Sequence, residues 1–127
     1  MKRAYYDVKP SVLEATGNGG NIYRWDIKEE QVETTEGMEQ SERVQYSCYE
    51  VVVWNPISSN KILQEVMAVK YPNNREQKYI NEYNAAILGV YKDDVANEKI
   101  QAYTDFLVER DGLKNQVDSD CKELGIQ

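Results

Sequence analysis

The 127-residue chain predicts an α+β fold: a small antiparallel sheet of about three strands, then three helices, the last two paired as a hairpin that turns at Gly89. Three observations predict this class. Before residue 55 the apolar residues recur with period two; beyond Asn55-Pro56 they recur every three or four residues. Between two such helical stripes, the stretch "NEYNAAILGVYKDD" places a single glycine where a chain reversal is needed. A chain of this length buries roughly two-thirds of its unfolded surface. A single domain over 1–127 is therefore expected, with a β part over 1–55 and a helical part over 56–127.

The first strand candidate is the short run "RAYYDV". It is followed by "SVLEA" and by "TGNGGN", residues 16 to 21, the one glycine-rich stretch. A phosphate cradle would require a strand, loop and helix in that order with a following Lys-Ser/Thr, which the stretch lacks. Asn-Gly and Gly-Gly instead supply the positive φ values of a turn, so the segment is expected to join "SVLEA" to "NIYRW" as a hairpin. In "NIYRWDIK" the residues Tyr23, Trp25 and Ile27 alternate with Ile22, Arg24, Asp26 and Lys28, the pattern of a half-buried strand.

Residues 29–42, "EEQVETTEGMEQSE", hold six glutamates and no basic residue, so six of the seven net negative charges belong to this segment. Polar, aperiodic and poor in aromatics, it is expected to be a flexible acidic loop. A cation-binding or acidic recognition arm is the alternative, although the Gly-anchored Asp/Asn spacing of a calcium loop is absent. The third strand runs from Arg43 to Trp54. Val44, Tyr46 and Cys48 share a phase with Glu50, while Tyr49, Val51 and Val53 occupy the other. Either both faces are covered at its far end or a bulge near Cys48 to Glu50 shifts the phase. Asn55-Pro56 ends the strand, because proline cannot donate to a ladder.

Ile57 and Ile62 flank Ser58 at the spacing of a hydrophobic staple, which predicts a first helix through about Val69. Pro72 follows, and Asn73 with Glu76 imitates a capping box for a second helix presenting Ile80, Tyr83 and Ile87. Gly89 suits the left-handed residue that closes a helix, with Val90 reaching back to Ala85 in Schellman fashion. Asp93 or Asp94 is expected to cap the third helix. Its stripe runs through Ala96, Ile100, Tyr103, Phe106, Leu107, Leu113, Val117, Cys121 and Leu124, with Arg110 in the middle.

Antiparallel pairing would set Arg110 near the start of the second helix, with Glu76 as its partner. A third helix over 95–124 would be about 45 Å long against about 23 Å for the second. The part beyond the pairing, holding Leu113, Val117, Cys121 and Leu124, must pack on the first helix, on the sheet or on another molecule. Gly112 marks where it could bend. Leu113, Val117, Cys121, Leu124 and Arg110 are accordingly the candidate partner-binding residues.

Chemistry is limited by what the chain lacks. With no histidine and only Cys48 and Cys121, a zinc site of ordinary ligation and the Ser-His or Cys-His nucleophile pairs cannot be assembled within one chain. The two cysteines read as buried thiols, with a disulfide or a reactive thiol as the alternatives. Asp7, Asp26 and Glu50 are the strand carboxylates from which a glycosidase pair would have to be drawn. Tyr5, Tyr6, Trp25, Tyr49 and Trp54 are the aromatics from which a saccharide- or peptide-binding platform on the sheet would be built. No cofactor, metal or catalytic residue is expected. No basic stripe follows a phosphate backbone, so nucleic acid is not an expected partner. The start lacks a secretion signal and the apolar runs are too short for a bilayer, which predicts a soluble intracellular product.

The whole chain resembles a small protein family encoded in prophage regions of gut Bacteroidales bacteria, through "MKRAYYDVKPSVLEATGNG", "YRWDI", "NEYNAA" and "LKNQVDSDCKELGI". Its C-terminal half also resembles the end of tail fibre assembly proteins of tailed phages. Ala85, Ala86 and Gly89 match that family's alanine-rich helix and turn, Tyr103 and Phe106 its aromatic pair, and Leu113 with Val117-Asp118 its end. The resemblance implies a non-enzymatic accessory or assembly factor of a phage tail or tail fibre. Such a factor would act in the bacterial cytoplasm during assembly or in the virion, with a tail or fibre protein, or a second copy of itself, as partner.

Overall fold

The computed structural model describes residues 1–36 and 39–127, with the backbone alone described over 33–36 and 39–42. The chain is α+β, as its periods predict: four strands, β1 (Ala4–Tyr6), β2 (Leu13–Ala15), β3 (Gly20–Glu36) and β4 (Glu39–Trp54), precede three helices, α1 (Ser59–Lys70), α2 (Arg75–Ile87) and α3 (Asp93–Leu124). The backbone gathers into two compact units, Met1–Glu65 and Val66–Gln127, divided within α1.

In the first unit the sheet is antiparallel throughout, in the order β1-β4-β3-β2. The fourth strand is "LEA", joined to β3 by the expected glycine turn, in which Gly17 and Gly19 take positive φ of 85° and 88°. Directly paired residues share a face, so Asn21, Tyr23 and Trp25 of β3 line up with Val53, Val51 and Tyr49 of β4. This face is buried: Tyr23, Trp25, Val51 and Val53 form its core, and the Trp25 ring lies 5.9 Å from Tyr23 and 5.8 Å from Tyr49.

No bulge falls within Cys48 to Glu50 of β4; the extra residue lies on the partner strand, and Ser47 and Cys48, on opposite faces of β4, are both buried. Trp25 pairs with Tyr49 and Lys28 with Ser47, so Asp26 and Ile27 together oppose Cys48. Asp26 has a φ of 53°, and Arg3 clamps the bulge by donating to the Asp26 carboxylate at 2.8 Å and to its carbonyl oxygen at 2.6 Å. Ile27 therefore does not continue the Tyr23 and Trp25 face in simple alternation.

The acidic segment is a correction to the sequence reading. Residues 29–36 and 39–42 are strand, and the ladder runs on from Glu29↔Tyr46 to Glu36↔Glu39; Gly37 and Met38 lie outside the described residues. The register set at the Gly20 end is carried outward by backbone hydrogen bonds, which do not depend on side-chain propensity.

α1 starts as expected: the Ser58 hydroxyl oxygen accepts from the Lys61 N–H at 3.2 Å, and its carbonyl accepts from Ile62 at 3.0 Å. The start of α2 departs from expectation. No Asn73/Glu76 capping box forms, because Asn73 and Asn74 both take left-handed φ, 60° and 61°, and α2 begins without a side-chain cap. α3 likewise has no side-chain cap; Asp93 and Asp94 lie in its first turn, where they suit the dipole.

The reversal at Gly89 has the expected geometry. Gly89 sits at φ 83°, its N–H reaches the Ala86 carbonyl at 3.3 Å, and the Val90 N–H reaches that of Ala85 at 2.9 Å. Those two bonds define a Schellman motif. The same pair closes α3 at Gly125, with Ile126 N–H on the Cys121 carbonyl at 2.8 Å. α3, with 32 residues, is about 48 Å long and α2, with 13, about 20 Å, so α3 outruns its mate and continues unbroken through Gly112.

Candidate interaction site on the helical unit

The seam between α2 and α3 is aromatic. Tyr83 stacks on Tyr103 at 4.7 Å, Tyr79 on Phe106 at 5.3 Å, and Tyr71, from the turn after α1, meets Phe106 edge-on at 5.0 Å. Steps of three and four residues place Tyr79 and Tyr83 on one helix face and Tyr103 and Phe106 on the other, so pairing the helices interleaves the rings. Phe106 is buried and the tyrosines are partly so.

At the α2 N-terminal end this seam opens into a groove of about 690 Å³. Ile80, Phe106, Tyr103 and Leu107 supply its apolar wall, and the left-handed pair Asn73 and Asn74 turns the chain along its other side. Glu76 and Arg110 are its charged residues. They line the same groove, as the antiparallel pairing predicts, but among the described residues no ion pair joins them.

Beside the groove, Glu109 accepts hydrogen bonds from Tyr71 and pairs with Lys70. Burial pushes the Tyr71 phenol well above the usual tyrosine range, reinforced by its bond to Glu109. For Glu109, burial alone would raise the carboxyl, but hydrogen bonds from Lys70 and Tyr71 outweigh it and hold the group below the usual range.

The structure separates the five candidate contact residues. Val117 and Cys121 are 1% and 2% exposed, Leu113 is half-buried, and Leu124 and Arg110 are exposed. The exposed members of this candidate set, Leu124 and Arg110, are thus not joined into one continuous open stripe.

A cluster of uncovered apolar residues lies at the tip of the hairpin, where Ile87, Leu88 and Val90 are 59%, 80% and 70% exposed. From the sequence, the apolar residues flanking Gly89 are the ends of two helical stripes. The Schellman spacing is the available signal: it ends α2 at Ile87 and leaves Leu88 and Val90 in the turn between the helices.

The carboxylates considered for catalysis have structural partners. Asp26 is held by Arg3, and Asp7 lies 3.9 Å from Arg43. Glu50 accepts from Arg24 at 3.1 Å and from the Tyr6 hydroxyl. Arg24 is 3% exposed and also donates to the Ser11 carbonyl at 3.1 Å and to Glu14 at 3.4 Å. Burial opposes the charged guanidinium, yet its bonds to Tyr6 and Glu50 more than offset this and raise its pKa.

The sheet aromatics do not form one platform. Trp25 and Tyr49 meet at a tilt on the buried face, Tyr6 is bound to Glu50, and the register puts Tyr5 and Trp54 on opposite faces. Cys48 and Cys121 are both buried thiols, and burial raises the Cys48 pKa, which disfavours the reactive thiolate.

No group of three or more His, Cys, Asp or Glu among the described residues could hold a metal ion, and no helix among them is long and apolar enough to cross a membrane. Comparison of the chain with protein-family models, with curated proteins and with solved structures finds no match.

Proposed function

We propose that this protein is a non-enzymatic interaction factor of prophage origin, an accessory or assembly factor of a phage tail or tail fibre, working through its α2–α3 hairpin. The observation that carries the reading is the uncovered tip, Ile87, Leu88 and Val90, at the end of a seam lined by stacked rings. Exposed apolar side chains gathered on one projecting element mark contact surfaces. The Schellman turn holds them in a fixed arrangement, so little ordering entropy is lost on docking.

The partner class comes from the resemblance of the C-terminal half to tail fibre assembly proteins, and the place of action is the host cytoplasm during assembly or the virion. Co-expression of the tagged chain with tail and fibre proteins encoded beside it, followed by affinity capture, tests the reading. Capture of a tail or fibre protein that is lost with Leu88→Asp supports it. Capture of none, or capture indifferent to Leu88→Asp and to Val90→Asp, overturns it.

A further inference from the structure

The helical unit carries two unsatisfied features of complementary chemistry. One is the tip: Leu88 and Val90 are 80% and 70% exposed, and the exposed Asp93 and Asp94 follow them. With Lys92 between, the tip remains acidic by one charge. The other is the groove of about 690 Å³, with an apolar wall and Arg110 as its cation. Among the described residues the Arg110 side chain makes no ion pair and no hydrogen bond. The groove volume falls within the range of pockets that enclose ligands, about 300–1,000 Å³, and suits a few aliphatic side chains. Glu76 offsets part of the Arg110 charge. The start of α2 adds a positive dipole end with no side-chain cap to neutralise it.

A chain cannot fill its own groove with its own tip. The groove lies at the first residues of α2 and the tip just past its last, so 13 helical residues, about 20 Å, hold them apart. We propose that the hairpin tip of one copy docks in the groove of a second copy, with Leu88 against the apolar wall and Asp93 or Asp94 meeting Arg110. The contact is heterologous: each copy uses a different surface on each side, so successive copies add head to tail, into a ring if the rotation closes and a filament if it does not. The inference rests on the hairpin being a contact surface, as the proposed function holds, and adds that one occupant is the chain itself.

Sedimentation velocity of the full chain over a wide concentration range, at low salt, tests it. Wild type is expected to grow beyond a dimer with concentration. Leu88→Asp and Arg110→Glu are each expected to weaken association about tenfold or more. Both sites are exposed, and unchanged circular dichroism verifies folding. Mixing the two variants is the decisive arm. One keeps an intact groove and the other an intact tip, so the mixture should form a dimer and stop there.

Within one chain, adding Asp93→Lys and Asp94→Lys to Arg110→Glu should restore growth by reversing both charges. That variant keeps the test informative if Leu88→Asp does not fold. A wild type that stays monomeric throughout, or a mixture that does not associate, overturns the proposal. A monomeric chain that still captures a tail protein overturns self-docking alone. A self-associating chain that captures none removes the proposed function and leaves self-docking standing.

Discussion

Alanine placed at Gly89 and at Gly112 should move stability in opposite directions, although a Cβ at either position meets no heavy atom within 4 Å. Space therefore decides nothing, and only the backbone conformation differs. Gly89 sits at φ 83°, where an L-residue with a Cβ costs roughly 1–2 kcal/mol. Alanine also restricts the unfolded chain, which returns about 0.4–1 kcal/mol. The net loss is about 1 kcal/mol. Gly112 lies within α3, where exchanging glycine for alanine gains about 0.8–1 kcal/mol.

The two variants should thus be separated by about 2 kcal/mol, or about 8 °C in melting temperature for a chain of this size. Thermal and denaturant unfolding followed by the helical circular dichroism signal measures this. Asparagine at 89 should fall between glycine and alanine, since it tolerates the left-handed region. If both alanine variants shift the same way, the reversal at Gly89 or the continuity of α3 through Gly112 is wrong.

Arg24→Met should cost about 2–3 kcal/mol in denaturant unfolding. It strips a buried guanidinium from Glu50, Tyr6 and the Ser11 carbonyl, and leaves Glu50 without its cation. A companion Glu50→Leu change should recover part of the loss. Glu109 contributes to the acid limb of the stability curve. Its folded pKa lies below the unfolded one, so its contribution is complete above the unfolded value and disappears as pH falls through the folded value. Glu109→Gln should therefore lower stability near neutrality by under about 1 kcal/mol, as befits a partly exposed ion pair, and flatten that limb. An unchanged acid limb would contradict the assignment. Both thiols should resist a thiol reagent in the native protein and react on unfolding, because Cys48 and Cys121 are buried; rapid reaction of the native chain would contradict that burial.

Legibility in the sequence followed the range of the forces involved. The closure at Gly89, the Ser58 cap and the glycine turn before β3 depend on neighbouring residues alone, and each is found where residue type and spacing place it. The composition of the acidic residues 29–36 and 39–42 points to a loop, because it disfavours order. Their strand state comes from a ladder begun near Gly20 and Trp54, which no local window reveals. The phase of Glu50 reflects two covered faces of β4, since Glu50 meets the buried Arg24 opposite the Val51 and Val53 face. The bulge lies on β3, where the alternation of Tyr23, Trp25 and Ile27 gives no sign of it. The capping box over Asn73 and Glu76 fitted a motif, yet two successive left-handed asparagines occupy the turn instead. At the candidate site, periodicity found the stripe through Val117 and Cys121 and placed Arg110 near Glu76. It could not tell what covers a stripe, so the exposed tip at Ile87, Leu88 and Val90 became visible only with the fold.

Every functional step above depends on α3 folding back along α2. Nuclear Overhauser contacts between the ring protons of Tyr83 and Tyr103 test this most directly. The hairpin places the two centroids 4.7 Å apart and predicts strong cross-peaks between them. A single helix running through Gly89 would separate the residues by about 30 Å, and the absence of those cross-peaks in a folded, assigned protein would contradict the account.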